Sequence, residues 1–267
     1  MKKIVILLYL SLFVSIIKAQ TVWSIGQKNN SAAEFALAPD KYHDFLKNDF
    51  GWENKSYVIG FSSPQADFPY ILPGPADQWG GTGGLSGIRT HVFNILFKMP
   101  EMPDNTNFKF VIDLLDTQGE IPPLFKVIVN NRSFYYKLPP GGTDVSLTGD
   151  FTNAKKHTIE IPVSTLIRKG GNTISLSSIE GSWIIFDAIR LISSKPLKYQ
   201  PVNKVFVRSI SVAEYETAHP DAQPLLVDVE HLKGHPELTV KLDNKTILSQ
   251  KLETGRYVFE APMPVVK

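Results

Sequence analysis

The chain has 267 residues, 43% of them hydrophobic and 20% charged, with a formal net charge of +2 and no cysteine. That is enough apolar material for one large or two modest domains, each with a core. The near-neutral balance argues against a nucleic-acid partner or an acidic membrane surface, and the missing thiols exclude disulfides and thiolate metal sites.

The N-terminus sets the compartment. A basic "MKK" is followed by the apolar "IVILLYLSLFVSII" and by "KAQ", with Ala19 as the small residue before a cleavage point. This pattern predicts a cleavable secretory signal over residues 1–19, since the apolar run is too short for a comfortable membrane span. The mature protein is expected to be secreted or periplasmic, with no membrane span after cleavage.

"TVWSIG" then reads as a first strand. In "SAAEFALA", Ser31 and Glu34 have the spacing of a capping box and predict a short helix. A second helical segment is expected in "DKYHDFLKNDFG", where Tyr42, Phe45 and Leu46 share a face and Gly51 is a natural stop. After "SYVIGFS" the period becomes two. In "RTHVFNILFKM", His91, Phe93, Ile95 and Phe97 form one face, and Val92, Asn94, Leu96 and Lys98 the other. "FKFVIDLLDT", "LFKVIVNN", "SFYYKL", "KHTIEIPV", "NTISLSSIEG" and "WIIFDAIRLIS" are further short strands bounded by Gly, Pro, Asn or Asp. Many strands with few helices predict an all-β sandwich or jelly roll.

"SSKPLKYQPVNK", 193–204, reads as a linker. Beyond it, "VFVRSISVAEYE", "QPLLVDVEHL" and "ELTVKLDNKTILSQKLETGRYVFEAPMPV" are again strands, with a hairpin turn at Asp243-Asn244. This last part is small for a sandwich domain and is expected to stop short of a complete one.

Candidate chemistry centres on "GPADQWGGTGGLSG", 74–87. A phosphate-binding loop needs a Lys after its last glycine, and a dinucleotide fingerprint needs a following helix. Here there is no Lys, and the strand-like "THVFNILF" follows. Nucleotide binding is excluded on both counts. The plain reading is an inter-strand loop in which glycines allow bends and close approaches. The sharper one makes Trp79 a stacking platform for a sugar, whose C–H edges suit the negative face of an aromatic ring. Trp52 and Tyr70 lie in the same segment, with Asp77, Arg89 and His91 as hydrogen-bonding partners for hydroxyls.

Other motifs carry less. Asp113 and Asp116 lie three apart in a strand pattern and would face opposite sides, a poor acid/base pair. Asp187, inside "WIIFDAIRL", reads as a structural carboxylate accepting backbone or Arg190 hydrogen bonds. His231 and His235 have metal-like spacing, but Gly234 and Pro236 break the helix that would align them. No D-x-D-x-D run supports a calcium site.

The front "WSIGQKNNSAAEF" resembles the carbohydrate-binding-like third domain of rhamnogalacturonan lyases, which opens with W-x-I-G-x-x-D/N-x-S/T. The later "VNN" turn, "GGNTISL" and "WIIFDAIRL" resemble the closing half of galactose-binding-like jelly rolls. The resemblance spans about residues 22–193. More loosely, the whole chain resembles the N-terminal accessory region of large secreted bacterial glycoside hydrolases, α-mannosidases among them. The resemblance implies a galactose-binding-like β-sandwich over 20–195 and a smaller Ig-like unit over 200–267. It also implies a glycan partner and a catalytic domain of the same polypeptide beyond Lys267. No cofactor is expected, with a structural calcium ion as the exception such modules allow. The expected function is non-catalytic carbohydrate binding within a glycan-degrading enzyme. Two alternatives stay open: a polysaccharide lyase or glycosidase with its site in the 67–91 loops, and a structural module without ligand.

Overall fold

The computed structural model describes residues 19–50, 55–213 and 222–264. Two sheets face each other in the larger part. The first contains β1 (Gln20–Gly26), β3 (Ile71–Leu72), β5 (Phe108–Thr117), β8 (His157–Pro162) and β10 (Ile184–Ser193). Its order is β1-β10-β5-β8, and β3 pairs with the start of β10. The second runs β2-β4-β9-β6-β7, from β2 (Ser56–Val58), β4 (Phe93–Met99), β6 (Leu124–Val129), β7 (Arg132–Lys137) and β9 (Gly170–Glu180). All pairings are antiparallel except the parallel β2–β4.

The core between the sheets follows from the period-two pattern. Phe93, Ile95 and Phe97 of β4 point inward, as do Val127 and Val129 of β6 and Ile174 and Leu176 of β9. From the other side come Phe110, Ile112, Ile185 and Ile189. Trp23 sits between them, with its ring 5.2 Å from Phe97 and 6.1 Å from Phe110. Strand β10 is the central strand of its sheet and is apolar at almost every position, which matches its near-continuous burial.

The expected helices near the start are not there. Residues 31–40 form turns, and Ala36 makes a bridge to Pro69. The capping residues do cap, but locally: Ser31 Oγ accepts the N–H of Ala33, and Glu34 Oε1 reaches back to the N–H of Gln27 at 2.7 Å. Leu37 lies at φ 67°, which ends any helical run. The second segment contains only single 3-10 turns, Tyr42–Asp44 and Leu46–Asn48, closed by Asp49 in the left-handed region. Elsewhere the sandwich has one four-residue α-helix, Pro64–Asp67, and short 3-10 turns at Gln78–Gly80, Gly84–Ser86 and Asp144–Thr148.

The smaller unit has a sheet β11-β12-β15, from Val205–Val212, Ala222–His231 and Gly255–Pro264. A hairpin, β13 (Glu237–Leu242) and β14 (Lys245–Lys251), covers part of one face. Asp243 and Asn244 turn that hairpin with φ of 47° and 65°, the left-handed pair such a turn requires. Its core is Val227, Val229 and Leu252, flanked by Leu225, Leu238, Val240, Tyr257 and Phe259.

The segment expected as a linker is tied down. Gln200 bridges to Lys98, Leu197 and Tyr199 pack on the sandwich core, and Val202 is buried. With Val58, Leu96 and Phe206, Val202 forms an apolar seam between the two units. A Cβ on Gly171 would stand 2.5 Å from the Val207 carbonyl oxygen, so β9 and β11 approach as closely as glycine permits. Among the described residues no helix is long and apolar enough to cross a membrane. Residues 1–18, on which the expected signal falls, lie outside the described residues, as do residues 265–267.

Candidate functional site

The 74–87 loop folds around its own polar atoms. The Thr82 hydroxyl, fully buried, sits 2.6 Å from the Gly74 carbonyl and 2.7 Å from that of Asp77, and donates to them. The Asp77 carboxylate accepts the Gly74 N–H at 2.7 Å, the Ser182 hydroxyl at 2.6 Å, and a hydrogen bond from the Trp79 indole. Burial outweighs those bonds and pushes the Asp77 carboxyl up to about 6. Gly74 has no room for a side chain, because a Cβ would lie 2.5 Å from the carbonyl oxygens of both Gly181 and Ser182.

The six sequence-predicted binding residues therefore part company. Tyr70 is fully buried and donates its hydroxyl to the Leu147 carbonyl at 2.6 Å. Burial raises its phenol well above the ordinary range. His91 is 1% exposed, stacks near Phe45, and places Nε2 2.6 Å from the Gly80 carbonyl. Asp77 is buried as described. These three shape the loop from inside and present no face to solvent. Trp79 is half-buried, edge-on to Tyr42 at 5.1 Å and to Phe45 at 6.2 Å. Arg89 is exposed and donates Nε to the Gly81 carbonyl at 2.7 Å. Trp52 lies outside the described residues.

Residues that sequence reasoning did not single out for binding join this surface. Tyr42 is half-exposed and stacks on the exposed His43, with ring centroids 4.0 Å apart. The spacing of Tyr42 to Phe45 was read as a helical face; the 3-10 turns instead carry Tyr42 to Trp79. Leu85, 95% exposed, and Ile88 stand at the loop tip.

The other carboxylates are structural in their contacts. Asp113 receives Lys28 at 2.8 Å, Arg190 at 2.5 Å and the Thr158 hydroxyl at 2.8 Å. Burial pushes its carboxyl up, but those three donors outweigh burial and hold it below the ordinary range. Asp116, fully buried, accepts the N–H groups of Gly142 and Lys155 and the Ser146 hydroxyl. Register shifts in the β5–β10 pairing put both aspartates indoors, where period-two spacing alone would separate them. Asp187 accepts the N–H groups of Asn29 and Asn30, while Arg190 goes to Asp113 instead. In the 67–91 loops, Asp67 accepts the N–H of Ser63.

His231 is buried with Nε2 2.9 Å from the Lys233 carbonyl, and His235 is exposed beside Glu253, so the pair does not converge. Among the described residues no cluster of three or more His, Asp or Glu is placed to hold a metal ion.

A second concavity lies between the two units. The outward face of β4 and β9 supplies Asn94, Thr173 and Ser175, and the facing sheet supplies Arg208, Asp228 and Arg256. The cleft holds about 550 Å³.

Among curated proteins, none matches this chain. Among solved structures, it is similar to a family 35 carbohydrate-binding module from an environmental isolate. That pair is 18% identical, covers 42% of this chain and 69% of the module, and has a TM-score of 0.27. It is similar to a Xyl-CBM35 in complex with a glucuronic acid-containing disaccharide, 16% identical over 43% of this chain and 70% of that one, with a TM-score of 0.28. It is also similar to a β-glucuronidase of an uncultured Clostridium sp., 11% identical over 91% of this chain but 39% of the enzyme, with a TM-score of 0.29. The chain thus spans well under half the length of that enzyme. The model of the family described as CBM-like, polysaccharide lyase family 4, domain III, matches residues 21–191. That is more than half of the chain, and the chain belongs to this carbohydrate-binding-module-like family.

Proposed function

We propose that this chain is a non-catalytic glycan-binding accessory region of a secreted polysaccharide-degrading enzyme, with the sandwich holding the glycan. The observation that carries the reading is the half-exposed Tyr42–Trp79 pair beside exposed Arg89, on a member of a carbohydrate-binding-module-like family. Edge-to-face packing fixes the Trp79 ring, so little side-chain freedom is lost when a sugar stacks on it. The indole N–H is already engaged by Asp77, which pins the ring from behind. Arg89 then supplies directional donors at the rim of the aromatic pair. Tyr70, His91 and Asp77 act in this reading as supports and not as contacts. The same family membership supports an accessory role, since the matched description is one domain of a polysaccharide lyase.

The test is affinity electrophoresis through gels containing pectin or mannan. Trp79→Ala, checked for folding by circular dichroism, is expected to lose retention, and Arg89→Gln to lose part of it. Unchanged retention of a folded Trp79→Ala protein would overturn the reading.

A further inference from the structure

The glycines of residues 74–87 divide into two kinds. At Gly74, Gly80, Gly81 and Gly83 an added Cβ would stand 2.2–2.7 Å from a neighbour. At Gly84 and Gly87 it would meet nothing within 4 Å. The Arg89 N–H donates to the Thr82 carbonyl and the Ile88 N–H to the Gly83 carbonyl, which closes residues 84–87 into a tip. The turn Gly84–Ser86 shapes that tip, and Gly87, at φ 80°, brings the chain back. The tip stands clear of the packed half of the loop.

What it presents is aliphatic. Leu85 is 95% exposed and Ile88 69%. Ile88 also sits at φ 50°. That region is costly for a β-branched residue, and here no burial offsets the cost. Glycine or asparagine would turn the chain at this position with less strain. A strained isoleucine held out in water does nothing for the fold, so its use lies in what it meets.

The surface at the foot of the tip continues the same chemistry. Gly81, at φ 65°, lies between Leu46 and Arg89: a Cβ there would be 2.7 Å from Leu46 Cδ1 and 3.3 Å from Arg89 Nη2. The bare glycine thus lets an aliphatic side chain and a guanidinium lie side by side. Leu46 is itself 38% exposed. Tyr42 precedes it by one turn and packs edge-on against Trp79. Three aliphatic side chains fall far short of the roughly 800 Å² that a stable protein interface takes from each partner. The occupant is therefore a small apolar group, and beside a saccharide platform that is a substituent of the sugar.

We infer that this tip selects glycans carrying O-acetyl esters, with the acetyl methyl against Leu85 and Ile88 and the ester carbonyl accepting from Arg89. The inference rests on the reading of Trp79 as the platform for the sugar ring, and adds to it the kind of glycan preferred. An ester suits this surface because it brings an acceptor and a methyl but no donor. An N-acetyl group would add an N–H, for which the Tyr42, Leu46, Trp79, Leu85, Ile88 and Arg89 side chains offer only the Tyr42 hydroxyl.

The experiment is affinity electrophoresis through O-acetylated glucomannan and O-acetylated low-methyl pectin, each run beside the same polymer stripped of its acetyl groups. The acetylated form is expected to bind about fourfold more tightly, the worth of one methyl-sized group taken out of water. In Leu85→Ser and in Ile88→Asn that ratio is expected to fall toward one. Both variants should melt no lower than the parent, since neither side chain is packed and asparagine suits the backbone at 88. Equal retention on acetylated and stripped polymer overturns the inference and leaves the Trp79 reading standing. An undiminished ratio in both variants also overturns it, as does a marked loss of stability in them, which would make the tip part of the fold's own packing. Retention on neither form of either polymer removes the Trp79 reading and this one with it.

Discussion

In the 74–87 loop the polar atoms face inward. Thr82, Asp77 and Ser182 saturate one another and the loop backbone, and the glycines are there because backbone carbonyls crowd them. In the inter-unit cleft, Thr173 and Ser175 stand on a strand face and Arg208 on the facing sheet. A glycine-rich loop with a tryptophan draws the eye in a sequence, yet most of its chemistry is consumed in holding its own shape. The Ser/Thr/Asn row on a strand looks like an ordinary solvated face, and only the second unit turns it into the wall of a cleft. Polar residues in the first place stabilise the fold, and the strand-face hydroxyl of Thr173 in the second makes no side-chain hydrogen bond among the described residues. The difference should appear when each set is altered.

The largest effect is expected at Gly74. In Gly74→Ala the new methyl would meet two backbone oxygens at 2.5 Å, which no side-chain adjustment relieves. The loop or the start of β10 must move, at about 3 kcal/mol or more, the upper end of overpacking costs. Thermal or urea unfolding checks this, and a change under about 1 kcal/mol would show that the loop is not the rigid element described here.

Next comes pH. Asp77 has its carboxyl pushed up to about 6 from an ordinary 3.8, first by burial and with the charge of Asp144 adding to it. The folded state therefore binds this proton more tightly than the unfolded chain. Its stability contribution is greatest below about pH 4, falls as pH rises through the window to about 6, and is fully lost above that. The whole change is about 2–3 kcal/mol. In Asp77→Asn, Oδ1 can keep the Gly74 N–H, the Ser182 hydroxyl can turn to accept, and no charge develops. The decline between pH 4 and 6 should flatten in the variant by that amount, whatever its absolute stability. Parallel pH profiles for the two proteins would contradict the burial argument. Asp113, held low by Lys28, Thr158 and Arg190, works in the opposite direction in both proteins and cancels from the difference.

Much of the sandwich was legible because burial imposes a period. Phe93, Ile95 and Phe97 alternate with Asn94 and Leu96, and the structure keeps that alternation. The G-x-N-x-I-x-L run also has a local cause: Asn172 donates to the carbonyls of Arg168 and Gly170 and accepts the N–H of Arg168, clamping the entry to β9. The helix expected at 31–38 failed because its capping residues serve turns as readily as helices, and the bridge to Pro69 and the packing of Phe35 on Phe68 decided between them. For the site, Trp79 and Arg89 lie at the surface, while Tyr70 and His91 are indoors; residue type alone cannot separate a sugar-facing aromatic from a core one. The cleft was not legible at all. Arg208 and Thr173 belong to different units, and nothing local in either strand announces that they meet.

The smallest effect is the sharpest test of the comparison, because it sets two identical substitutions side by side. Thr82→Val and Thr173→Val each replace a hydroxyl by a methyl of nearly equal volume. In the loop, the lost hydroxyl removes a buried donor from the Gly74 and Asp77 carbonyls, which keep only the N–H groups of Asp77 and Gly80, and this should cost about 1–2 kcal/mol. In the cleft, Thr173 is half-exposed, its backbone N–H is already held by Asn130, and valine suits a strand. Its stability should change by no more than about 0.5 kcal/mol, the usual range for a surface position. Matched urea titrations of the two variants measure the gap directly. If Thr173→Val were as costly as Thr82→Val, its hydroxyl would be part of the fold's own hydrogen bonding and not free for a sugar. A wide gap would leave that hydroxyl open to a ligand.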